Sequence, residues 1–206
     1  GFYASHQYDL AGFCVGVVER AQLLDGSHVQ IGDAILGLAS QGLHSNGFSL
    51  VRRIIAQAGF SWSDCPEDLG GLSLGELLLM PTQLYVTAIL GARQAGLELH
   101  GLAHITGGGL PENVPRALGP GQAARLDPQS WPRPALFDWL AAVGSVSPAA
   151  MFDTFNMGIG FVVILPPSQV DAGLHWFQTQ GLPAYCIGEV VSGEAGGDRP
   201  LLGLPR

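Results

Sequence analysis

The sequence predicts a mixed α/β fold (α+β in composition) of layered α/β/α type. Three observations carry that expectation. Short apolar runs such as "AILGLAS" and "GIGFVVILP" alternate with segments of helical spacing, where Phe48, Val51, Ile54 and Ile55 recur at three- and four-residue steps. Hydrophobic residues make up 47% and charged residues 13%, a composition that supports a packed core. The apolar runs are short and broken by glycine or proline, which punctuate elements rather than continue them. Alternating strands and helices of this kind pack as layers around a sheet.

Taken in order, residues 9–20 ("DLAGFCVGVVER") read as a buried strand. The connector "AQLLDGSHVQIGD" is turn-rich, and Asp25–Gly32 is the best place for a domain crossing. A strand follows at 34–40, a polar loop "QGLHSNG", and a helix over 48–58. Residues 59–71 read as loop, then helices over 72–80 and 81–94, the second with Pro81 near its start. A strand is expected over 97–105, a short helix over 110–118 and a short strand over 123–126. Helices over 135–143 and 148–155 follow, the second capped by Ser147. A strand at 158–166, a helix over 169–179 and a strand at 184–191 lead to a terminal hairpin or tail.

Composition excludes several function classes. The net charge is −8, and all nine basic side chains are arginines scattered along the chain, so no basic face for nucleic acid is expected. Without lysine there is neither a Walker-type phosphate loop nor a lysine Schiff base. No apolar run is long enough to span a membrane. His6, His28, His100 and His175 share no ligand spacing and no Cys/His cluster occurs, so no metal ligands are expected. Cys14, Cys65 and Cys186 are far apart and odd in number, and read as reduced, mostly buried thiols of a cytosolic protein.

Three polar-flanked glycine turns carry the candidate chemistry. In "HITGGGLPEN", strand-like residues end at Gly107, Gly108 and Gly109 before a helix. Backbone N–H groups without neighbouring Cβ atoms can converge there on an anion, with Thr106 adding a hydroxyl and His104 and Asn113 flanking. A plain tight turn is the competing explanation. In "GLHSNGFSL", His44, Ser45, Asn46 and Gly47 precede a helix that Ser45 or Asn46 could cap, and His44 could donate to a phosphate or shuttle a proton near neutral pH. In "TFNMGIG", Asn156 precedes Gly158 and Gly160, which permit close approach of a ligand or another backbone, or form a bulge.

The stretches "YDLAGFCVGVVER", "GLHSNGFSLVR", "PTQLYV", "HITGGGLPENVPR" and "TFNMGIG" together resemble the phosphoribosylformylglycinamidine cyclo-ligase (aminoimidazole ribonucleotide synthetase) family over almost the whole chain. The resemblance implies two α/β domains, a homodimer and a cytoplasmic enzyme of purine biosynthesis. It implies ATP-dependent ring closure of formylglycinamidine ribonucleotide, with ATP activating the formyl oxygen before a nitrogen closes the ring. ATP and Mg2+ contacts would lie mostly in an N-terminal part. Residues 1–32 would be the remnant of that N-terminal ATP-binding domain and 33–206 the C-terminal domain, which alone would be inactive. Carried over, His44 is the candidate catalytic residue. Ser45, Asn46, Gly47, His104, Thr106, Gly107, Gly108, Gly109, Asn113 and Asn156 are candidate substrate contacts. Met157 stands where many relatives have cysteine, so a cysteine there cannot be essential. The alternative is a non-catalytic phosphate-ligand or oligomerisation module of the same fold.

Overall fold

The computed structural model describes residues 8, 10–193 and 201–205. The strands are β1 (Ala34–Ala39), β2 (Gly101–His104), β3 (Gln122–Leu126), β4 (Ile159–Leu165), β5 (Ala184–Ser192) and β6 (Leu201–Leu202). The helices are α1 (Phe48–Ala58), α2 (Leu74–Leu78), α3 (Val86–Gln94), α4 (Gly109–Asn113), α5 (Ala135–Gly144), α6 (Pro148–Thr154) and α7 (Val170–Thr179). The six strands form one sheet in the order β2-β4-β1-β5-β3-β6. Every pairing is antiparallel except β3 with β6.

The period-two alternation of strand side chains divides the apolar residues between two faces. Ile35, Val162 and Ile164 pack with α1, α5 and α6 through Val51, Ile54, Phe137, Leu140 and Phe152. Leu36, Leu38, Val163 and Leu165 pack on the other face with Ala88, Ile89 and Ala92 of α3 and Phe177 of α7. Helices therefore cover both faces, as the layered reading requires. The helix ends follow local chemistry. Gly59 closes α1 in the left-handed region, and the Phe60 N–H bonds the Ile55 carbonyl. A Ser73–Glu76 capping box starts α2, and Ser147 caps α6 as expected.

Some elements differ from the sequence reading. Among the described residues, 10–19 form no strand, and Leu10, Phe13, Val15 and Val17 are exposed. Their composition suits a strand, but a ladder needs a partner and no described strand pairs with them. Asp9 lies outside the described residues. The helix expected over 81–94 starts only at Val86. The Gln83 amide and the Tyr85 hydroxyl bond instead to His44 and to the Ala39 carbonyl. The helix expected over 110–118 becomes a 3-10 turn from Val114, where Pro115 removes an amide donor. Of the terminal segment expected as a hairpin or tail, Leu201–Leu202 pairs in parallel with β3, and residues 194–200 lie outside the described residues. All three cysteines are exposed rather than mostly buried. Cys14 sits in the unpaired segment, and Cys186 points away from the core-facing Ile187 beside it.

β1 and β2 both run antiparallel to β4, so their C-terminal ends, Ala39 and His104, lie at the end of the sheet where β4 begins. At the opposite end a buried cluster ties the connector to the sheet. His100 Nδ1 lies 2.7 Å from Asp33 Oδ2, and Nε2 lies 3.2 Å from Glu98 Oε1. With a carboxylate beside each nitrogen, protonation lets both nitrogens donate, so the site favours the imidazolium. Burial pulls its pKa down, but the hydrogen bonds and charges of Asp33 and Glu98 outweigh that, and the net shift is upward. The stabilisation is thus complete below the ordinary histidine pKa and is lost as pH rises through the raised folded value. The stability difference between the protein and His100→Gln should shrink on going from pH 6 to pH 9 in urea titrations. A difference that grows with pH would contradict the assignment.

Candidate functional site

The three glycine turns converge at the end of the sheet where β1 and β2 finish and β4 starts. The hub is Phe155, fully buried between α6 and β4. A Cβ on Gly47 would stand 2.6 Å from the Phe155 Cδ1 atom. A Cβ on Gly109 would stand 2.8 Å from the Phe155 carbonyl oxygen and closer still to that of Phe152. Gly47 and Gly109 also have φ of 81° and 56°, where a side chain is strained. Between the first two turns, a Cβ on Gly107 would meet Asn46 Oδ1 at 3.5 Å, so Asn46 and Gly107 face one another.

Two asparagines predicted as ligand contacts hold the turns in place. Asn156 is buried; its amide donates to the Gly42 carbonyl at 3.0 Å, and its Oδ1 accepts from the Gly158 N–H at 2.9 Å and from Ser40 Oγ at 3.0 Å. Asn113 donates to the carbonyls of Gly107 at 3.1 Å and Gly109 at 2.7 Å, while its Oδ1 accepts from Thr106 Oγ1 at 3.1 Å. Asn113 thus holds these carbonyls inward, and the Gly109 N–H closes the turn on the Thr106 carbonyl at 3.0 Å. The Thr106 hydroxyl is spent on Asn113 and is no free donor.

α1 begins without a side-chain cap: Gly47, left-handed, is its N-cap residue. Ser45 and Asn46 therefore do not cap it, contrary to the sequence reading. The Ser45 hydroxyl lies 3.3 Å from that of Thr82. The first N–H groups of α1, with the dipole of an 11-residue helix, open beside Asn46 and Gly107. Glu112 leans against Gly108, since a Cβ there would run into its side chain. That carboxylate places negative charge against the middle glycine of the triplet.

His44 lies under the first turn. It is 5% exposed and has φ of 57°, an uncommon left-handed value for a residue with a side chain. Its Nε2 accepts from the N–H of Gln41 at 3.0 Å and of Gln83 at 3.4 Å, whereas Nδ1 is buried with no partner among the described residues. Burial, then the charge of His104, push its pKa down to about 4. A ring neutral across the physiological range does not match the neutral-pH proton shuttle expected from the sequence. His104 is exposed at the end of β2, and its ring stacks on Phe161 at 6.0 Å.

Tyr85 escaped the sequence reading. Its hydroxyl donates to the Ala39 carbonyl at 2.7 Å, and burial raises its pKa. Its ring lies 6.2 Å from that of His44. Gly160 makes this packing possible, because a Cβ there would collide with both the Tyr85 hydroxyl and His44 Cε1. The available signal was "PTQLYV", where an aromatic follows a proline-started segment; helical spacing hid its contact with β1. Ser40 was missed for the same reason, as a strand-end residue.

A largely antiparallel sheet with helices on both faces and glycine turns gathered at one end defines a layered α/β domain. Residues 30–198 match the family described as AIR synthase related protein, C-terminal domain. The chain belongs to that family. It is 60% identical over 193 residues to a phosphoribosylformylglycinamidine cyclo-ligase of Gloeothece citriformis, covering 94% of this chain and 56% of that protein. It is 59% identical over 205 residues to the enzyme of the same name from Thermosynechococcus vestitus, covering 100% of this chain and 58% of that protein. The chain thus spans a little over half the length of these relatives. A thiamine-monophosphate kinase from Stenotrophomonas maltophilia shares the fold, with a TM-score of 0.60 at 20% identity over 90% of this chain and 54% of that one. Among the described residues no helix is long and apolar enough to cross a membrane.

Proposed function

We propose that this chain is the substrate-holding C-terminal part of a cytoplasmic, homodimeric phosphoribosylformylglycinamidine cyclo-ligase. The parent enzyme closes formylglycinamidine ribonucleotide to aminoimidazole ribonucleotide, consuming ATP. Residues 33–206 form the C-terminal domain and residues 1–32 the end of the domain that supplies most ATP and Mg2+ contacts. The names and 60% and 59% identities of the relatives support the reaction. The observation that carries the site is the uncapped start of α1 facing the Gly107 turn across Asn46.

The ribose phosphate of the substrate seats between Gly107 and the first turn of α1, away from the Glu112 carboxylate. Backbone amides and the helix dipole supply the attraction there. Ser45 and Asn46 complete the seat with polar side chains that no cap requires. His104 lies at the rim. Thr106, Gly108, Gly109, Asn113 and Asn156 shape it rather than touch the phosphate. When bound, ATP supplies the phosphoryl group that activates the formyl oxygen; this chain holds and orients the nucleotide that receives it. Among the described residues no group of three or more His, Cys, Asp or Glu could hold a metal ion, and no role for Mg2+ is assigned to these residues.

The full-length protein is expected to turn over formylglycinamidine ribonucleotide and ATP in a coupled assay of ADP release. No turnover would exclude the cyclo-ligase reading. Gly107→Ala should raise KM for the nucleotide roughly tenfold, about 1.4 kcal/mol, with stability unchanged. An unaltered KM would move the phosphate elsewhere.

A further inference from the structure

We propose that His44 is a tautomer-locked neutral hydrogen-bond donor, which offers its Nδ1–H to an acceptor oxygen of the bound nucleotide and carries no proton in the reaction. This rests on the substrate-cleft reading above and assigns the chemical role of one group within it. The lock comes from the backbone. Two peptide N–H groups, from Gln41 and Gln83, point at Nε2. An N–H can donate only to a nitrogen lone pair, so Nε2 is bare and the ring proton sits on Nδ1. Protonating Nε2 would set a third N–H against those two donors and break both bonds.

The remaining donor has no acceptor among the described residues. Nδ1 is buried, and no described side chain or carbonyl bonds it. Native interiors seldom leave such a group unsatisfied, and those that do mark places where a ligand completes the bonding. The ring cannot turn away to find a partner. Tyr85 lies against it, itself anchored to the Ala39 carbonyl, and Gly160 leaves only the room that the Tyr85 hydroxyl and His44 Cε1 fill. Nδ1 is sealed from solvent, so an acceptor reaches it only if the turn over residues 41–47 moves as one piece with the ring. The positive φ of His44 within that turn holds it in a sparsely populated backbone state. Tyr85 is thus a positioning residue acting through His44.

A fixed neutral donor recognises an oxygen acceptor and rejects an N–H or a cation in the same place. It also makes binding insensitive to pH over the range where a free histidine titrates. Side-chain geometry supplies the discriminating variants. An asparagine amide reaches the position of Nδ1 and tolerates a left-handed backbone, whereas a glutamine amide reaches the position of Nε2.

Nitrogen NMR of full-length protein labelled in histidine should show His44 with Nδ1 protonated and Nε2 bare from pH 5.5 to 8.5, its resonance assigned by loss in His44→Ala. In calorimetric titrations with formylglycinamidine ribonucleotide, His44→Asn should bind within about threefold of the unsubstituted protein. His44→Gln and His44→Ala should bind at least about tenfold more weakly. An Nε2–H tautomer, or an imidazolium near pH 7, overturns the proposal. So does equal weakening in the Asn and Ala variants. The NMR measurement needs no turnover, so it separates failure of this assignment from failure of the cyclo-ligase reading.

Discussion

Gly109→Ala is expected to destabilise the protein by about 3 kcal/mol, while Gly107→Ala, two residues away in the same triplet, changes stability by less than about 0.5 kcal/mol. The contrast follows from where each Cβ would go. At Gly109 it would press on the carbonyl oxygens of Phe152 and Phe155, and backbone carbonyls cannot swing aside as a side chain can. The left-handed φ of 56° adds strain that alanine does not tolerate well. At Gly107 φ is ordinary, and the nearest atom, Asn46 Oδ1, lies at van der Waals distance. For a chain of this length the Gly109 change corresponds to a melting temperature lower by about 10 °C. Similar melting temperatures for the two variants would mean that the third turn does not hold Gly109 as described.

Asn156→Ala is expected to cost about 3 kcal/mol as well, by a different mechanism. The substitution leaves the Gly158 N–H without its acceptor and removes a donor from the Gly42 carbonyl. It also frees the single Ser40 hydroxyl proton from Asn156, and that proton can then go wholly to the same carbonyl, 3.1 Å away. Each buried group left unpaired costs about 1–3 kcal/mol, more than the net worth of the bond it made. Because Asn156 joins the end of β1 to the start of β4, the effect should extend beyond global stability. Amide exchange should quicken at residues 40–47 more than in α5. Uniform change in exchange, with a small loss of stability, would show that the asparagine is packed but not a staple.

Both predictions concern glycine-rich turns visible in the sequence, yet their roles differ from the first reading. "TGGG" and "HSNG" were legible as turns because consecutive glycines and small polar residues have few other uses between apolar runs. That Asn113 and Asn156 would bind the protein's own backbone was not legible. Their partners are set by sheet register, with Ser40 116 positions from Asn156 in the chain. The same holds for Tyr85: helical spacing through Pro81–Gln94 was a fair local pattern, and the Ala39 carbonyl, 46 residues away, overrode it. The buried strand expected at residues 9–20 was legible as composition alone. A strand's burial belongs to its neighbours, and no described strand pairs with it.

The sequence by itself determined the layered α/β class, most helix and strand positions, and the family to which the chain belongs, because periodicity, capping residues and glycine placement are local properties. Only the tertiary structure decided that the three turns share one end of the sheet, that Asn113 and Asn156 bond the protein's own backbone, and that His44 is buried. These depend on strand order and on desolvation, and both arise only when residues distant in the chain are brought together.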